Sequence, residues 1–266
     1  MPIAVEKQDG IATLWLDRPE KLNALSAEMW SELPQAAAKL ADDPEVRVIV
    51  LAGRGPCLTV GIDLEMLATL APSGESEAAR RRALLAKIKD LQRTFTSVTE
   101  CPQPVIAAIH GYCLGAGIDL ITACDIRWAS ADAVFSVRET RMGLVADVGT
   151  MQRLPRIINP GDVAELVYTG SDIDANRALE MRLVTRVLPD QPTLWSDVMS
   201  LAAAIADNSP LVVQGAKRVL QAGEGRTVEQ GLDYMAVWNA AFLISDDLGE
   251  AMAAHLEKRR PDFKGK

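Results

Sequence analysis

The residues richest in chemical potential lie in 110–120, HGYCLGAGIDL, where glycines 111, 115 and 117 stand beside Asp119. An apolar run at 104–109 (PVIAAI) enters this stretch like a buried strand, and the apolar segment 118–123 leaves it like a helix. Glycines permit a tight backbone and leave its N–H groups uncovered. At a helix N-terminus such donors attract developing negative charge. Asp119 is then expected to project from the first helical turn. Backbone donors beside a carboxylate point to enolate chemistry rather than to simple anion binding. Taken alone, Asp119 also reads as a helix-start acid favoured by the dipole.

The elements that must hold this site can be read outward from it. Residues 11–17 (IATLWLD) alternate like a half-buried strand and stop at Arg18-Pro19. Ser26 reads as the N-cap of a helix with Met29, Leu33, Ala37 and Leu40 on one face, and Pro34 is expected to kink it. Residues 46–52 (VRVIVLA) read as a deeper strand running into a Gly/Pro-rich loop, with a helix expected from Ile62 or Asp63. Gly-Ile-Asp-Leu thus occurs twice, at 61–64 and 117–120, each after a strand and a glycine turn. The pattern suggests one structural unit used twice. Residues 71–92 are polar, with a loop at 72–77 leading into a helix. Its arginines 80–82 form either a solvated face or a grip on substrate phosphates.

Further strands are expected at 126–129, 133–137 and 183–188, and helices from about 193 onward. Ser209-Pro210 opens one helix and Gly223 closes it. Thr227-x-x-Gln230 is a capping box opening the next, and Ser245 begins the last. Their apolar stripes want a surface to cover, which another subunit would supply.

The 266 residues are 48% hydrophobic, enough for one large core or two modest ones. Twenty-eight basic residues against 36 acidic ones, a net charge of −8, argue against a nucleic-acid partner. Cysteines 57, 101, 113 and 124 lack metal-type spacing and read as reduced thiols. Two histidines leave little material for a zinc site or a His-based triad. No apolar run is long enough to span a bilayer, and neither a signal segment nor a peroxisomal tripeptide is evident. A cytoplasmic protein without a membrane partner is the expectation.

The chain resembles the crotonase superfamily, the enoyl-CoA hydratases and isomerases, over essentially its full length. The matching pieces are LDRPEKLNALS (16–26), VRVIVLAG (46–53), VGIDL (60–64), PVIAAIHGYCLGAGIDLITACDIRWAS (104–130) and GTMQRLPRII (149–158). Within that superfamily, FSVRETRMGLVADVGTMQRLP (135–155) is most similar to dienoyl-CoA isomerases, which convert 3,5-dienoyl-CoA to 2,4-dienoyl-CoA. The resemblance implies an α/β spiral of repeated ββα units at 1–195 holding the CoA-thioester site. A helical region at 196–266 would mediate assembly into a homotrimer or a homohexamer.

It further implies an oxyanion hole made by the backbone N–H groups of Ile62 and Ala116, and catalytic acids at Asp119, Glu139 and Asp147. The third acid stands where most hydratases carry glycine. Contacts to the acyl-CoA substrate are implied for Val60, Gly61, Ile62, Asp63 and Leu64 and for Gly115 and Ala116. No metal and no cofactor beyond the substrate's own coenzyme A is implied. The chain departs from the pattern at Leu58 and Val60, where relatives carry an aromatic and a small residue, and at Ala116, usually glycine. A backbone donor survives each change, but the pocket walls need not.

Less specific readings stand beside these. Glu139 reads as a surface acid paired with Arg138 or Arg141, Asp147 as a turn former, and Asp63 as a helix-start residue. Asp125 reads as a partner for buried backbone or Arg127, and His110 as a hydrogen-bonded packing residue. Phe263 and Lys264 either touch CoA or belong to a frayed tail. Alternatives to the isomerase are a hydratase adding water to 2-enoyl-CoA and an idle acyl-CoA-binding homologue. A dinucleotide-binding oxidoreductase is disfavoured, because Leu120 replaces the third glycine and Asp119 would repel a pyrophosphate.

Overall fold

A computed structural model describes residues 1–68 and 74–266, so part of the loop expected at 72–77 lies outside the described residues. The chain winds between two sheets. Strands β1 (Ile3–Gln8) and β2 (Ile11–Leu16) form an antiparallel hairpin, and β3 (Val48–Gly53) and β4 (Val105–Ile109) add in parallel. Strand β5 (Tyr112–Leu114) leaves for a second sheet, and β6 (Ile126–Ser130) returns to pair with β4. Strands β7 (Val134–Ser136) and β8 (Ile173–Asp174) join β5, and β9 (Arg186–Leu188) closes the first sheet against β6. Each return to the six-stranded sheet is one turn of the expected spiral.

The apolar runs of β3 and β4 are buried throughout because both faces of the sheet are covered. Ile49 and Leu51 join Leu14, Leu33, Phe95 and Ile109 in the larger core. Val48 and Val50 point the other way, to Leu194, Val198 and Ala202. The first face is covered by helices α1 (Ala27–Ala41) and, beyond the short α2 (Leu64–Ala68), α3 (Glu77–Glu100). Ser26 caps α1 by accepting from Met29 N–H, as expected. Pro34 does not end the helix. It removes the N–H that would meet the Trp30 carbonyl, and that carbonyl instead accepts from the Thr94 hydroxyl of α3 at 3.1 Å. Arginines 80–82 are exposed on α3, a placement that suits both the solvated-face reading and the phosphate reading.

Helix α4 (Ala116–Thr122) follows β5, and α5 (Thr150–Arg153), α6 (Pro160–Thr169) and α7 (Ala175–Glu180) fill the turns before β9. Helix α8 (Gln191–Ala206) packs on the second face of the sheet through Leu194, Val198 and Ala202. The division expected at 195/196 therefore passes through a helix that rests on the sheet. Helices α9 (Pro210–Gly223), α10 (Val228–Phe242) and α11 (Asp246–Glu257) start and stop where their caps predict, including the Thr227–Gln230 capping box. No residue of α10 is buried within the chain. No helix among the described residues is long and apolar enough to cross a membrane.

Several boundaries shift for identifiable reasons. The strand expected from 46 starts at Val48, because the preceding backbone is taken up by a turn: Val46 N–H donates to Asp43 O at 3.1 Å and Arg47 N–H to Gly10 O at 2.8 Å. The helix expected from 62 or 63 starts at Leu64, since Ile62 bridges Leu25. The strand expected at 183–188 is reduced to 186–188, the carbonyl of Leu183 being taken by the Arg127 side chain. The tail is anchored rather than frayed: buried Asp247 accepts from the N–H groups of Lys264 and Gly265.

Candidate active site

The first candidate donor loop begins where residues 57–61 run beside β5. Gly61 has φ +90°, and a Cβ there would lie 2.7 Å from the Leu114 carbonyl oxygen and 3.3 Å from Ala116 N. Only glycine allows the two loops to approach this closely. In the bridge to Leu25, Gly61 O accepts from Leu25 N–H at 2.8 Å and Asp63 N–H donates to Leu25 O at 3.1 Å. Successive backbone groups along a strand face opposite ways, so the Ile62 N–H is turned from Leu25. Neither the Ile62 nor the Ala116 N–H has a partner among the described residues.

The second loop turns at Gly115, whose φ of +54° and ψ of −122° suit glycine alone. Helix α4 begins at once, with Ala116 as its first residue and all seven residues buried. Asp119 lies in its first turn with no exposed surface. Its Oδ1 accepts from Thr150 N–H, while Oδ2 is buried without a partner. Burial pushes this carboxyl up to about 6, against the pull of the Thr150 hydrogen bonds and the Arg153 charge.

Glu139 opens a 3-10 turn, Glu139–Met142, after β7 and is half-buried. Its carboxylate lies over Gly115, and its Oε2 has no partner. Burial, reinforced by the negative charges of Asp119 and Asp147, raises it to about 7. Asp147 is the outermost acid. It is exposed to solvent, on the loop before α5, and its carbonyl accepts from the Gln92 side chain of α3 at 2.7 Å. Partial burial raises its carboxyl as well. The three acids predicted from sequence therefore act on one another electrostatically, and Glu139 adjoins the loop that carries Ala116.

Other predicted positions separate. Asp63 accepts from Arg18 Nη1 at 2.9 Å and from Glu65 N–H at 3.0 Å, and the Arg18 guanidinium holds its carboxyl below the usual range. Val60 is half-buried and Leu64 is exposed. The two Gly-Ile-Asp-Leu segments are not equivalent: Gly61 precedes its helix by three residues, whereas Gly117 lies inside α4. His110 is buried and its Nε2 meets Gly55 O at 2.9 Å, in keeping with a packing role. Asp125 does accept from buried backbone, Val105 N–H at 2.7 Å. Its charged partner is Lys217 at 2.7 Å, not Arg127, whose guanidinium donates to the carbonyls of Cys124 and Leu183.

Sequence reasoning missed the support beneath Asp119. Gly149 has φ +140°, and a Cβ there would sit 1.8 Å from Arg153 Nη1. The guanidinium occupies that space, donates to Thr96 Oγ1 at 3.0 Å, and sends its charge toward Asp119. The signal present in the chain was the succession Gly149-Thr150 shortly after Asp147.

The fold and this cluster define a class that comparison makes explicit: the sequence matches the enoyl-CoA hydratase/isomerase family over residues 6–266, and the chain belongs to that family. The Delta(3,5)-Delta(2,4)-dienoyl-CoA isomerase, peroxisomal, of Arabidopsis thaliana is 45% identical over 94% of this chain and 91% of its own length. The mitochondrial protein of the same name from Dictyostelium discoideum is 42% identical over 98% of this chain and 91% of its own. Among solved structures, an enoyl-CoA hydratase from Bacillus anthracis superposes with a TM-score of 0.90 at 32% identity, covering all of both chains.

Proposed function

We propose that this protein isomerises 3,5-dienoyl-CoA thioesters to 2,4-dienoyl-CoA through a dienolate, as part of fatty acid β-oxidation. The observation that carries the reading is the third acid: Asp147 stands close enough to Glu139 for its charge to raise that carboxyl. Relatives 42–45% identical to this chain bear the name of this reaction.

In the proposed scheme the thioester oxygen accepts from the N–H groups of Ile62 and Ala116, and the acyl-CoA lies against 60–64 and 115–116. Glu139, next to the Ala116 loop, takes a proton from C2. The electron pair of that C–H bond forms C1=C2 as the carbonyl pair moves onto the thioester oxygen, giving the dienolate. When it collapses the oxygen pair restores the carbonyl, the C1=C2 pair becomes C2=C3, the C3=C4 pair moves to C4=C5, and the C5=C6 pair takes a proton at C6 from Asp147. One proton leaves and one arrives, so nothing is oxidised and the scheme requires no cofactor. Fixed amide donors need no reorganisation as charge develops on the oxygen, and losing one typically costs about 10²–10³ in rate. A carboxyl raised to about 7 is divided between acid and base near neutral pH, which suits it to proton transfer. Asp119, buried and held by Thr150, supports the other two acids.

Assembly into a homotrimer or a homohexamer through the helical region 196–266 belongs to the same proposal. Its support is apolar surface left open on α10 and α11, including Val228, Leu232, Val237 and Leu256. A monomeric mass in light scattering would reject it. A cytoplasmic setting rests on four buried, unpaired cysteines, which suit a reducing compartment.

The decisive test supplies purified protein with 3,5-dienoyl-CoA or 2-enoyl-CoA and no added cofactor. The dienoyl substrate is expected to turn over faster, and Asp147→Asn to lower isomerisation by about 10² or more. A variant within about threefold of wild type would remove Asp147 from the mechanism.

A further inference from the structure

Thr59 stands where the two candidate donor loops meet, and each of its groups is engaged. Its N–H donates to Tyr112 O at 2.9 Å and its carbonyl accepts from Leu114 N–H at 3.1 Å, tying it to β5, the strand that leads into Ala116. Its hydroxyl donates to Asn23 O at 2.6 Å and accepts from Gly61 N–H at 3.1 Å, one residue before Ile62. Its methyl closes on Gly117, where a Cβ would come within 2.8 Å of it. Thr59 itself is fully buried.

The anchor for that hydroxyl is rigid. Asn23 is fully buried at φ +55°. Its Oδ1 accepts from Arg18 N–H at 2.8 Å, and its Nδ2 donates to Arg54 O at 2.9 Å and Cys57 O at 2.8 Å. The peptide between Gly61 and Ile62 is held on its oxygen side by Leu25 N–H, and the preceding amide is held by Thr59. These contacts leave the Ile62 N–H with a fixed direction and no partner among the described residues.

We infer that Thr59 is a positioning residue whose hydroxyl sets the spacing and direction of the Ile62 amide relative to the Ala116 amide. The inference rests on the thioester reading above and deepens it. Stabilisation by fixed donors depends on their being in place before charge develops, and a displacement of about 1 Å can cost about 10²-fold in rate. Without the hydroxyl, Gly61 N–H and Asn23 C=O lose a shared partner inside the protein, and the loop gains a reason to rearrange.

The test compares Thr59→Val, Thr59→Ala and Thr59→Ser. The readouts are kcat and KM on 3,5-dienoyl-CoA and the infrared carbonyl stretch of a bound acyl-CoA labelled with ¹³C at the thioester carbon. Thr59→Ser keeps the hydroxyl and is expected to preserve the wild-type carbonyl shift and kcat. Thr59→Val and Thr59→Ala are expected to lose part of the shift and about 10- to 100-fold in kcat, with KM within about threefold. Thr59→Ala adds no bulk and carries the test if the valine variant does not fold. Thr59→Cys, with a weak donor, is expected to fall between serine and alanine.

Variants lacking the hydroxyl that keep both the carbonyl shift and kcat would overturn the role of Thr59 while leaving the thioester reading intact. If wild-type protein itself produces no carbonyl shift, the thioester reading fails, and the positioning role with it.

Discussion

The Glu139 carboxylate rests against Gly115: a Cβ built on that glycine would lie 3.4 Å from Glu139 Oε1. One residue thus supplies both the turn before the Ala116 donor and the space a catalytic acid would need. Gly115→Ala is expected to act twice. Its backbone conformation disfavours side chains by roughly 1–3 kcal/mol, and the added methyl would come into van der Waals contact with the Glu139 carboxylate. Thermal unfolding and kcat should fall together, with kcat falling further than the loss of folded protein explains.

The pH dependence follows from the raised acids. The scheme needs Glu139 without its proton and Asp147 with one, so kcat/KM should pass through a maximum with pH, its two limbs belonging to the coupled acids rather than to either residue. Folding raises the Glu139 carboxyl from 4.5, so between 4.5 and about 7 the folded chain holds a proton that the unfolded chain has lost. Its stabilising contribution is complete below the lower value and gone above the upper one. Glu139→Gln should therefore raise the Tm at pH 8, leave it nearly unchanged at pH 4, and abolish isomerisation. A Tm gain equal at both pH values would refute the assignment.

The exchange at Pro34 makes a prediction about stability alone. Thr94→Val leaves the Trp30 carbonyl without its partner, at a cost of about 1–3 kcal/mol. Adding Pro34→Ala restores a helical N–H to that carbonyl and should recover part of the loss. In a double-mutant cycle the two changes are expected to couple by more than about 0.5 kcal/mol, and simple additivity would show that the hydroxyl is not a substitute for the missing amide.

The sequence determined what local chemistry can encode. Strand and helix identities followed from periodicity and caps, and the terminal helices came out close to the residues predicted because Ser209, Thr227 and Ser245 each cap by local hydrogen bonds. The acids proposed at 119, 139 and 147 and the donors proposed at 62 and 116 could be named in advance because the resemblance to the crotonase superfamily assigns them to motif positions of this chain. Tertiary structure decided what depends on residues far apart in sequence. Asp125 pairs with Lys217 across 92 positions, and Thr94 supplies the hydrogen bond that Pro34 withholds from the Trp30 carbonyl of α1. The Arg153 guanidinium fits beside Gly149, where its charge acts on Asp119, and Thr59 joins two loops that no local pattern relates. Burial and mutual repulsion raise Asp119 and Glu139, and neither effect exists until the spiral closes around them.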